Sequence, residues 1–361
     1  MSAIEESTGR PGFIVPGVIA STAKNISVLS AAKSGFGIPA NPGLRLRLIT
    51  TTFLALSALL AGFVQNDYLL HILVLVLMYS VLASSLNLII GYVGEFPLGH
   101  VAFFGLGAYS VAILSSPAVG WPVTVTIAAA ALIAAAAGYV IGRVTLRLNG
   151  PFFVIVTLAF AEVLRLLANN WVDLTNGPMG ISGVAHPALL DMSPWLAGKR
   201  GFVVMGIVLA AITFYICYRL VHSSAGRAAV TLRENNYVAQ SVGIDPFRYS
   251  QFVFVVAAFL AGIAGAYYAS YISFVGPEVF GFPFTATMII IVLLGGKGTL
   301  LGPIAGAIVV ALLEEYLREF KELRLSLFGL IVMASVLFAP DGIMGFVQQR
   351  FHHLFGRTRH A

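Results

Sequence analysis

Long apolar runs are the feature that most constrains what this chain can fold into. A helix needs about 20 mostly apolar residues to cross the hydrocarbon core of a bilayer, and the sequence contains about ten such runs. Only 10% of its residues are charged, whereas soluble globular domains carry about 25%. The runs therefore predict an all-α, polytopic membrane protein with about ten transmembrane helices.

The same runs predict how the chain is divided. We place the spans at residues 46–65, 69–91, 97–116, 121–142, 151–170, 201–220, 250–274, 282–297, 300–318 and 325–346. We expect a flexible cytoplasmic N-terminal extension, a transmembrane domain and a basic cytoplasmic tail, at residues 1–44, 45–346 and 347–361. Inside the transmembrane domain, residues 171–200 are predicted to form an outer loop and residues 221–249 a cytoplasmic loop.

The positions of the basic residues predict the orientation. Cytoplasmic segments beside membrane spans carry an excess of Lys and Arg. With the N-terminus inside, most basic segments fall on the inner side, and the exceptions are Lys199, Arg200 and the mixed run at 314–324. Both termini are thus expected in the cytoplasm. Because topology accounts for the net charge of +6, we expect a bilayer and no nucleic acid as partner.

The polar stretch at 221–249 lies between two apolar runs and has signals for two short helices. Ser223 or Ser224 can begin the first helix and Asn235 or Asn236 the second. Gly243, followed by a proline, is typical of the end of the second helix. Two interpretations stay open: a surface gripped by another protein, or a solvated connection.

Two glycine-rich segments interrupt the apolar runs, at 91–107 and 295–306. Irregular backbone at membrane depth is tolerated only where protein or a water-filled cavity satisfies its polar groups. One interpretation is that these breaks flank a translocation pathway, and tight turns at the membrane surface are the alternative. The candidate pathway residues are Asn87, Gly91, Gly94, Glu95, Gly99, His100, Gly295 and Gly296.

Catalytic motifs are missing from the sequence. It has no His–Glu–x–x–His, no Gly–x–Ser–x–Gly and a single cysteine, Cys217, which we expect to be a small core residue. A phosphate-binding loop ending at Lys297 would need glycine where Ile291 stands. We therefore expect no enzyme activity, no cofactor and no metal. Glu162 and Arg165, three apart on one predicted helix, are expected to form a structural ion pair, and a pathway role is the alternative.

Four stretches together resemble a known family. They are SSLNLIIGYVGEFPLGHVAFFGLGAY, TLAFAEVLRLLANNWVDLTNGPMGISGV, GRAAVTLRENNYVAQSVGID and KGTLLGPIAGA. The chain is identified as a member of the branched-chain amino acid ABC importer permeases, LivM/LivH-type, and the glycine-rich outer loop resembles the M-type subunit. Two residues depart from the family pattern, Glu95 where Gln is usual and Pro97 where Ser is usual, and both leave the solute open.

The resemblance implies a set of partners and a site. Such permeases work in pairs with an H-type subunit in the bacterial inner membrane, with two ATPase subunits and a soluble extracytoplasmic binding protein. In that arrangement residues 225–243 form coupling helices that sit in a cleft of the ATPase. The residues implied in coupling are Gly226, Arg227, Arg233, Glu234, Ala239 and Gly243. The arginines either contact the ATPase or orient the loop at anionic lipid.

Three classes of function remain at this point. The first is the permease subunit of an ATP-driven importer of branched-chain amino acids or, as an alternative within the family, of urea or short amides. The second is an ion-coupled secondary transporter that acts alone, which broken helices would also permit. The third is a structural membrane scaffold.

Overall fold

The computed structural model describes residues 66–148, 150–188 and 198–317, together with residues 329, 330, 333 and 342–345. Its longer helices are α1 (Asp67–Asn87), α2 (Val101–Leu114), α3 (Val123–Thr145), α4 (Pro151–Asn170), α6 (Lys199–Val221), α7 (Ser224–Glu234), α9 (Pro246–Ile272), α10 (Phe282–Gly295) and α11 (Gly302–Leu317). Short elements complete it: a π-helical turn (Leu88–Val93), α5 (Val172–Thr175), a 3-10 turn (Gly177–Met179), β1 (Ile181–Ser182), α8 (Asn236–Ser241), β2 (Phe274–Val275) and a 3-10 turn (Pro277–Phe280).

The helices follow the predicted spans closely, and the all-α membrane architecture is confirmed. Among the described residues, five helical stretches are long and apolar enough to cross a membrane: α1 with its π turn, α3, α4, α6 and α9. Two shorter apolar helices, α2 and α10, accompany them. The first predicted span, 46–65, and most of the last, 325–346, lie outside the described residues, as do residues 1–44 and 347–361.

The connections fall at two ends of the helix bundle. At one end Arg147 lies over the ring of Phe247, 5.6 Å from its centroid, close to the α7–α8 hairpin; we call this the hairpin end. At the other end Lys199 donates to the carbonyl oxygen of Asp67 (3.2 Å), and we call this the loop end. The chain therefore alternates between the two ends as the predicted topology requires.

Helix α9 lies at the centre of the bundle and packs most extensively against α3 and α2. Small residues allow this approach: a Cβ on Gly265 would overlap the carbonyl of Phe104, and one on Gly107 would overlap the backbone of Gly262. Inside a bilayer the hydrophobic effect does not drive helices together, because lipid tails are as apolar as the side chains. Close backbone packing of this kind is therefore a main source of helix association. Cys217 of α6 is buried with a free thiol, as predicted.

The loop after α4 is held to the bundle by a short antiparallel ribbon. Residues Ile181 and Ser182 of β1 pair with Val275 and Phe274 of β2, directly after α9. The turns before the ribbon need left-handed backbone, and Asn176 adopts it at φ 60°. The loop residues up to Ala188 are therefore attached to the end of α9 and do not hang free.

Helix α4 lies at the edge of the bundle and exposes most of its surface. Phe153, Thr157, Ala161 and Ala168 form its buried stripe. The predicted ion pair is present on the exposed side, with Nη2 of Arg165 2.5 Å from Oε1 of Glu162. This pair closes within one helix.

Candidate functional site

The break after α1 is the most irregular backbone inside the bundle. The helix widens into the π turn at Leu88–Val93, and Gly94 then takes a left-handed conformation (φ 88°). Residues 94–97 are not helical, and α2 begins only at Val101. With 14 residues, α2 is about 21 Å long, which is too short to cross about 30 Å of hydrocarbon. The break therefore reaches into the bundle from the hairpin end.

His100 fixes the inner end of the break to α1. Its ring is fully buried, and Nε2 lies 2.9 Å from the hydroxyl oxygen of Ser85. The hydroxyl of Ser85 donates to the carbonyl oxygen of Leu82 (2.6 Å), so its oxygen accepts from Nε2–H of His100. The side chain does not cap α2, although His100 stands at the N-cap position. Its part is to hold the break against the helix that precedes it.

The backbone of the break is enclosed by two other helices. Thr285 of α10 donates from Oγ1 to the carbonyl oxygen of Leu98 (3.3 Å). On the other side, a Cβ on Gly99 would overlap the carbonyl of Thr157 in α4. Irregular backbone at this depth therefore has protein partners, as a membrane requires.

Asn87, the last residue of α1, joins the two glycine-rich segments. Its Nδ2 donates to the carbonyl oxygen of Thr299 (2.8 Å), and its Oδ1 accepts from the backbone N–H of Gly298 (2.9 Å). One amide side chain thus satisfies a donor and an acceptor of a turn more than 200 residues away. Gly91 packs against the same turn, so closely that a Cβ would overlap the backbone nitrogen of Gly298.

Further backbone contacts among glycines surround this turn. A Cβ on Gly295 would overlap the carbonyl of Gly302, and one on Gly342 would overlap the backbone of Gly296. Thr299 closes the turn by donating to the carbonyl oxygen of Gly296 (2.7 Å). We call the set Asn87, Gly91, Gly298 and Thr299 the glycine junction. It lies at the hairpin end of the bundle.

The hairpin reaches the glycine junction through Arg233. Its Nη1 donates to the carbonyl oxygen of Gly91, while Nε and Nη2 donate to Oε1 of Glu234 at 3.2 and 2.5 Å. The caps that shape the hairpin are the predicted ones. Ser223 accepts from the N–H of Gly226 (3.2 Å), and Asn235 accepts from the N–H of Val238 (3.1 Å).

The other hairpin residues divide into buried and exposed sets. Gly226 and Ala239 are buried against the bundle, and Arg227 donates to the carbonyl oxygen of His222 within its own connection (2.9 Å). Gly243 ends α8 in a left-handed turn (φ 82°) with open space around it. The large apolar side chains that point outward are Tyr237, Val238 and Val242, 87%, 54% and 69% exposed.

Glu95 stands in the break directly after Gly94 and is half-buried. Burial raises the pKa of its carboxyl above the usual range. Among the described residues, no group of three or more His, Cys, Asp or Glu side chains is placed to hold a metal ion.

Comparison with known proteins decides the family. A family model described as "Branched-chain amino acid transport system / permease component" matches residues 68–340. This chain belongs to that family. The matched residues of this permease include α1, the break, the hairpin, the glycine junction and the ribbon.

Individual relatives of this permease carry the same description. It is 29% identical to the high-affinity branched-chain amino acid transport system permease protein LivM of Escherichia coli (strain K12), over 94% of this chain and 79% of that protein. It is 30% identical to LivM of Salmonella typhimurium, over 74% of this chain and 68% of the relative. The LivH protein of Escherichia coli (strain K12) is 25% identical, over 74% of this chain and 91% of the relative. No solved structure matches this permease.

The structure adds residues that sequence patterns did not single out. Asn87 and Gly91 were candidates, but their partners Gly298 and Thr299 were not, and neither was Gly342. The available signal was the glycine pair on both sides of Lys297, which indicates a turn without indicating what it packs against. Arg233 was a candidate for contact with another protein, and its hydrogen bond lies within this permease.

Proposed function

We propose that this permease is the M-type membrane subunit of an ATP-driven importer for branched-chain amino acids. In this proposal it lies in the bacterial inner membrane with both termini in the cytoplasm, so that the hairpin end faces the ATPase subunits. The observation that carries the proposal is the α7–α8 hairpin. It is a compact two-helix projection between two spans, and Arg233 hydrogen-bonds it to the π turn that ends α1.

The outward surface of the hairpin suits a protein partner. Tyr237 and Val242 are more than two thirds exposed, and large side chains in such positions are typical of interface centres. Ser223 and Asn235 cap the two helices, so the surface is ordered before any partner binds. An ATPase cleft is the partner we propose, because this chain carries no phosphate-binding loop of its own.

A second permease subunit of the H type is also proposed. The exposed side of α4 carries Glu162 and Arg165, and charged groups in a span normally face protein or water and not lipid. The related LivM and LivH proteins are named as permeases of branched-chain amino acid transport systems, which supports a partner with the same fold. A soluble binding protein would then deliver the solute at the loop end.

Uptake by the purified system tests the proposal. The chain would be reconstituted in liposomes with the H-type permease, ATPases and binding protein that the proposal requires, and uptake of labelled leucine, isoleucine and valine would be measured. We expect uptake that needs ATP inside and binding protein outside. Labelled urea and acetamide serve as solute controls, and preferred uptake of either would replace the amino acids as the solute.

The ion-coupled alternative predicts solute uptake by this chain alone, without ATP. In the five described helical stretches that are long enough to cross a membrane, Glu162 is the only carboxylate more than about one turn from an end, and its charge is paired with Arg165. That arrangement leaves little for a proton relay, which typically uses chains of acidic or histidine side chains. Solute uptake by the chain alone, driven by a proton or sodium gradient, would overturn the importer proposal.

A further inference from the structure

Arg233 stands where three parts of the permease meet. It lies in the last turn of α7, beside the π turn that ends α1 and beside the turn at Gly298. A helix end leaves backbone carbonyl oxygens without intrahelical partners, and the guanidinium donates to one of these, the carbonyl of Gly91. The hydrogen bond joins residues 142 positions apart in the chain.

The Arg233 side chain is also closely packed against two glycines. A Cβ on Gly94 would lie 2.6 Å from Cγ of Arg233, and a Cβ on Gly298 would lie 3.2 Å from Nη1. The aliphatic part of the Arg233 side chain therefore packs on Gly94, the first residue of the break. Its guanidinium lies between the π turn and the turn at Gly298. Both glycines are needed to leave that room.

The chemistry of this position favours arginine over lysine. A guanidinium has five N–H donors in a rigid plane, so it can hold a carboxylate on one edge and a carbonyl oxygen on another. Glu234 takes Nε and Nη2, which fixes the plane and directs Nη1 at Gly91. A lysine ammonium at the end of a flexible stem would lose that orientation.

We infer that Arg233 is the positioning residue that makes the hairpin and the glycine junction move as one body. The inference rests on the proposed function, because it concerns how the ATPase contact reaches the pathway. When the hairpin is displaced, the guanidinium carries the Gly91 carbonyl with it. Asn87 passes the displacement to the turn at Gly298, and the break then changes its position between α4 and α10.

The first experiment compares Arg233→Gln with Arg143→Gln in the reconstituted transporter. Each variant removes one positive charge at the hairpin end, but Arg143 lies in the last turn of α3 and donates to the hydroxyl of Tyr139 in the same helix (3.4 Å). For Arg233→Gln we expect leucine uptake per ATP hydrolysed to fall on the order of tenfold, the factor that matches loss of one hydrogen bond to a charged group. ATP hydrolysis and assembly with the ATPases should stay close to wild type.

Rescue separates a positioning role from general stability. Arg233→Lys keeps the charge and a donor, so it should recover part of the coupling, and Arg143→Gln should keep all of it. Equal coupling in Arg233→Gln and Arg143→Gln would overturn the inference. So would equal loss of ATP hydrolysis and uptake, since that would mean that the assembly itself had failed.

A spectroscopic distance tests the motion directly. Spin labels at Gln240 and Lys297, both exposed, would be placed in a Cys217→Ala background. In wild type we expect the distance between the labels to be the same with and without ATP, because both segments move together. In Arg233→Gln the distance should change when ATP binds; an unchanged distance would contradict the inference.

If the proposed function is wrong, the wild-type protein itself shows no ATP-dependent uptake, which distinguishes this case from an error in the role given to Arg233. Hydrogen exchange of residues 88–94 in the purified full chain then still tests the contact of Arg233 with the π turn, because Arg233→Gln should speed exchange there and Arg143→Gln should not. If wild type transports and the two variants behave alike, only the inference about Arg233 is lost.

Discussion

Two arginine–glutamate pairs in this permease are equally close and similarly exposed at the arginine, but they differ in their other contacts. In α4 and in α7 the shortest N–O distance is 2.5 Å, and the arginine side chains are 37% and 35% exposed. Among the described residues, the guanidinium of Arg165 binds only Glu162 within its own helix, whereas Arg233 also binds the Gly91 carbonyl. The local pair therefore does not decide the role; the contact with Gly91 does. Four substitutions test the difference, from the largest expected effect to the smallest.

Gly91→Ala should have the largest effect on leucine uptake, because the added methyl group disrupts the glycine junction that Arg233 contacts. The added Cβ would lie 2.5 Å from Oδ1 of Asn87 and would overlap the backbone nitrogen of Gly298. Backbone cannot move aside as a flexible side chain can, so we expect almost complete loss of leucine uptake. Gly329→Ala is the matched control, since a Cβ there meets nothing within 4 Å in the part of the chain that the structure describes. Uptake and membrane content of both variants would be measured.

Asn87→Ala should be the next most severe. It removes both hydrogen bonds to the turn at Gly298 and Thr299 and leaves a backbone donor and acceptor unpaired, each costing about 1–3 kcal/mol when buried. We expect strongly reduced uptake and a lower unfolding temperature. Ser80→Ala in the same helix is the control, because Oγ of Ser80 donates only to Val76 one turn earlier (2.7 Å). Equal unfolding temperatures for the two variants would contradict the role given to Asn87.

Arg165→Gln should have a moderate effect of another kind. It leaves Glu162 without its partner on a membrane span, so we expect less inserted protein or weaker pairing with the second permease. The double variant Glu162→Gln/Arg165→Gln should recover most of that loss, because neither charge remains. Uptake per inserted molecule should stay near wild type in both. A lasting defect in the double variant would instead give this pair a role in the pathway.

Gly243→Ala should have the smallest effect. The left-handed turn disfavours a side chain by roughly 1–2 kcal/mol, but the Cβ itself would meet open space. We expect a small decrease in coupling between ATP hydrolysis and uptake, with assembly unchanged. The ratio of uptake to hydrolysis measures it, and a loss as large as that of Gly91→Ala would mean that the turn itself contacts the ATPase.

The spans and the hairpin could be predicted because their signals are local. Apolar runs fixed helices such as α4 (Pro151–Asn170) to the predicted residues, and Ser223 and Asn235 were readable as caps because capping uses neighbours in the chain. The ion pair of Glu162 with Arg165 also lies within one helical turn. Each of these features is determined by residues fewer than about 25 positions apart.

The glycine junction could not be predicted, because its contacts join distant parts of the chain. Asn87 looks the same in sequence whether its amide faces water or the turn at Gly298, and nothing in α7 indicates that Arg233 reaches Gly91. The pairing of Ile181 with Val275 was missed for the same reason, since two-residue strands have no periodicity to detect. Local propensity does not distinguish between possible partners for such residues, and only the packing of the whole fold determines which of them are in contact.

Helix α9 connects the hairpin to the ribbon at the loop end and can transmit a displacement between them. Its 27 residues run unbroken for about 40 Å, from the end of the hairpin to β2, whereas α1 breaks near the hairpin. A straight rod of that length turns a tilt of about 5° into a sideways shift of roughly 3.5 Å at its far tip. Because β1 pairs with β2 at that tip, a tilt begun at the hairpin would shift the loop that follows α4 by a similar distance at the loop end.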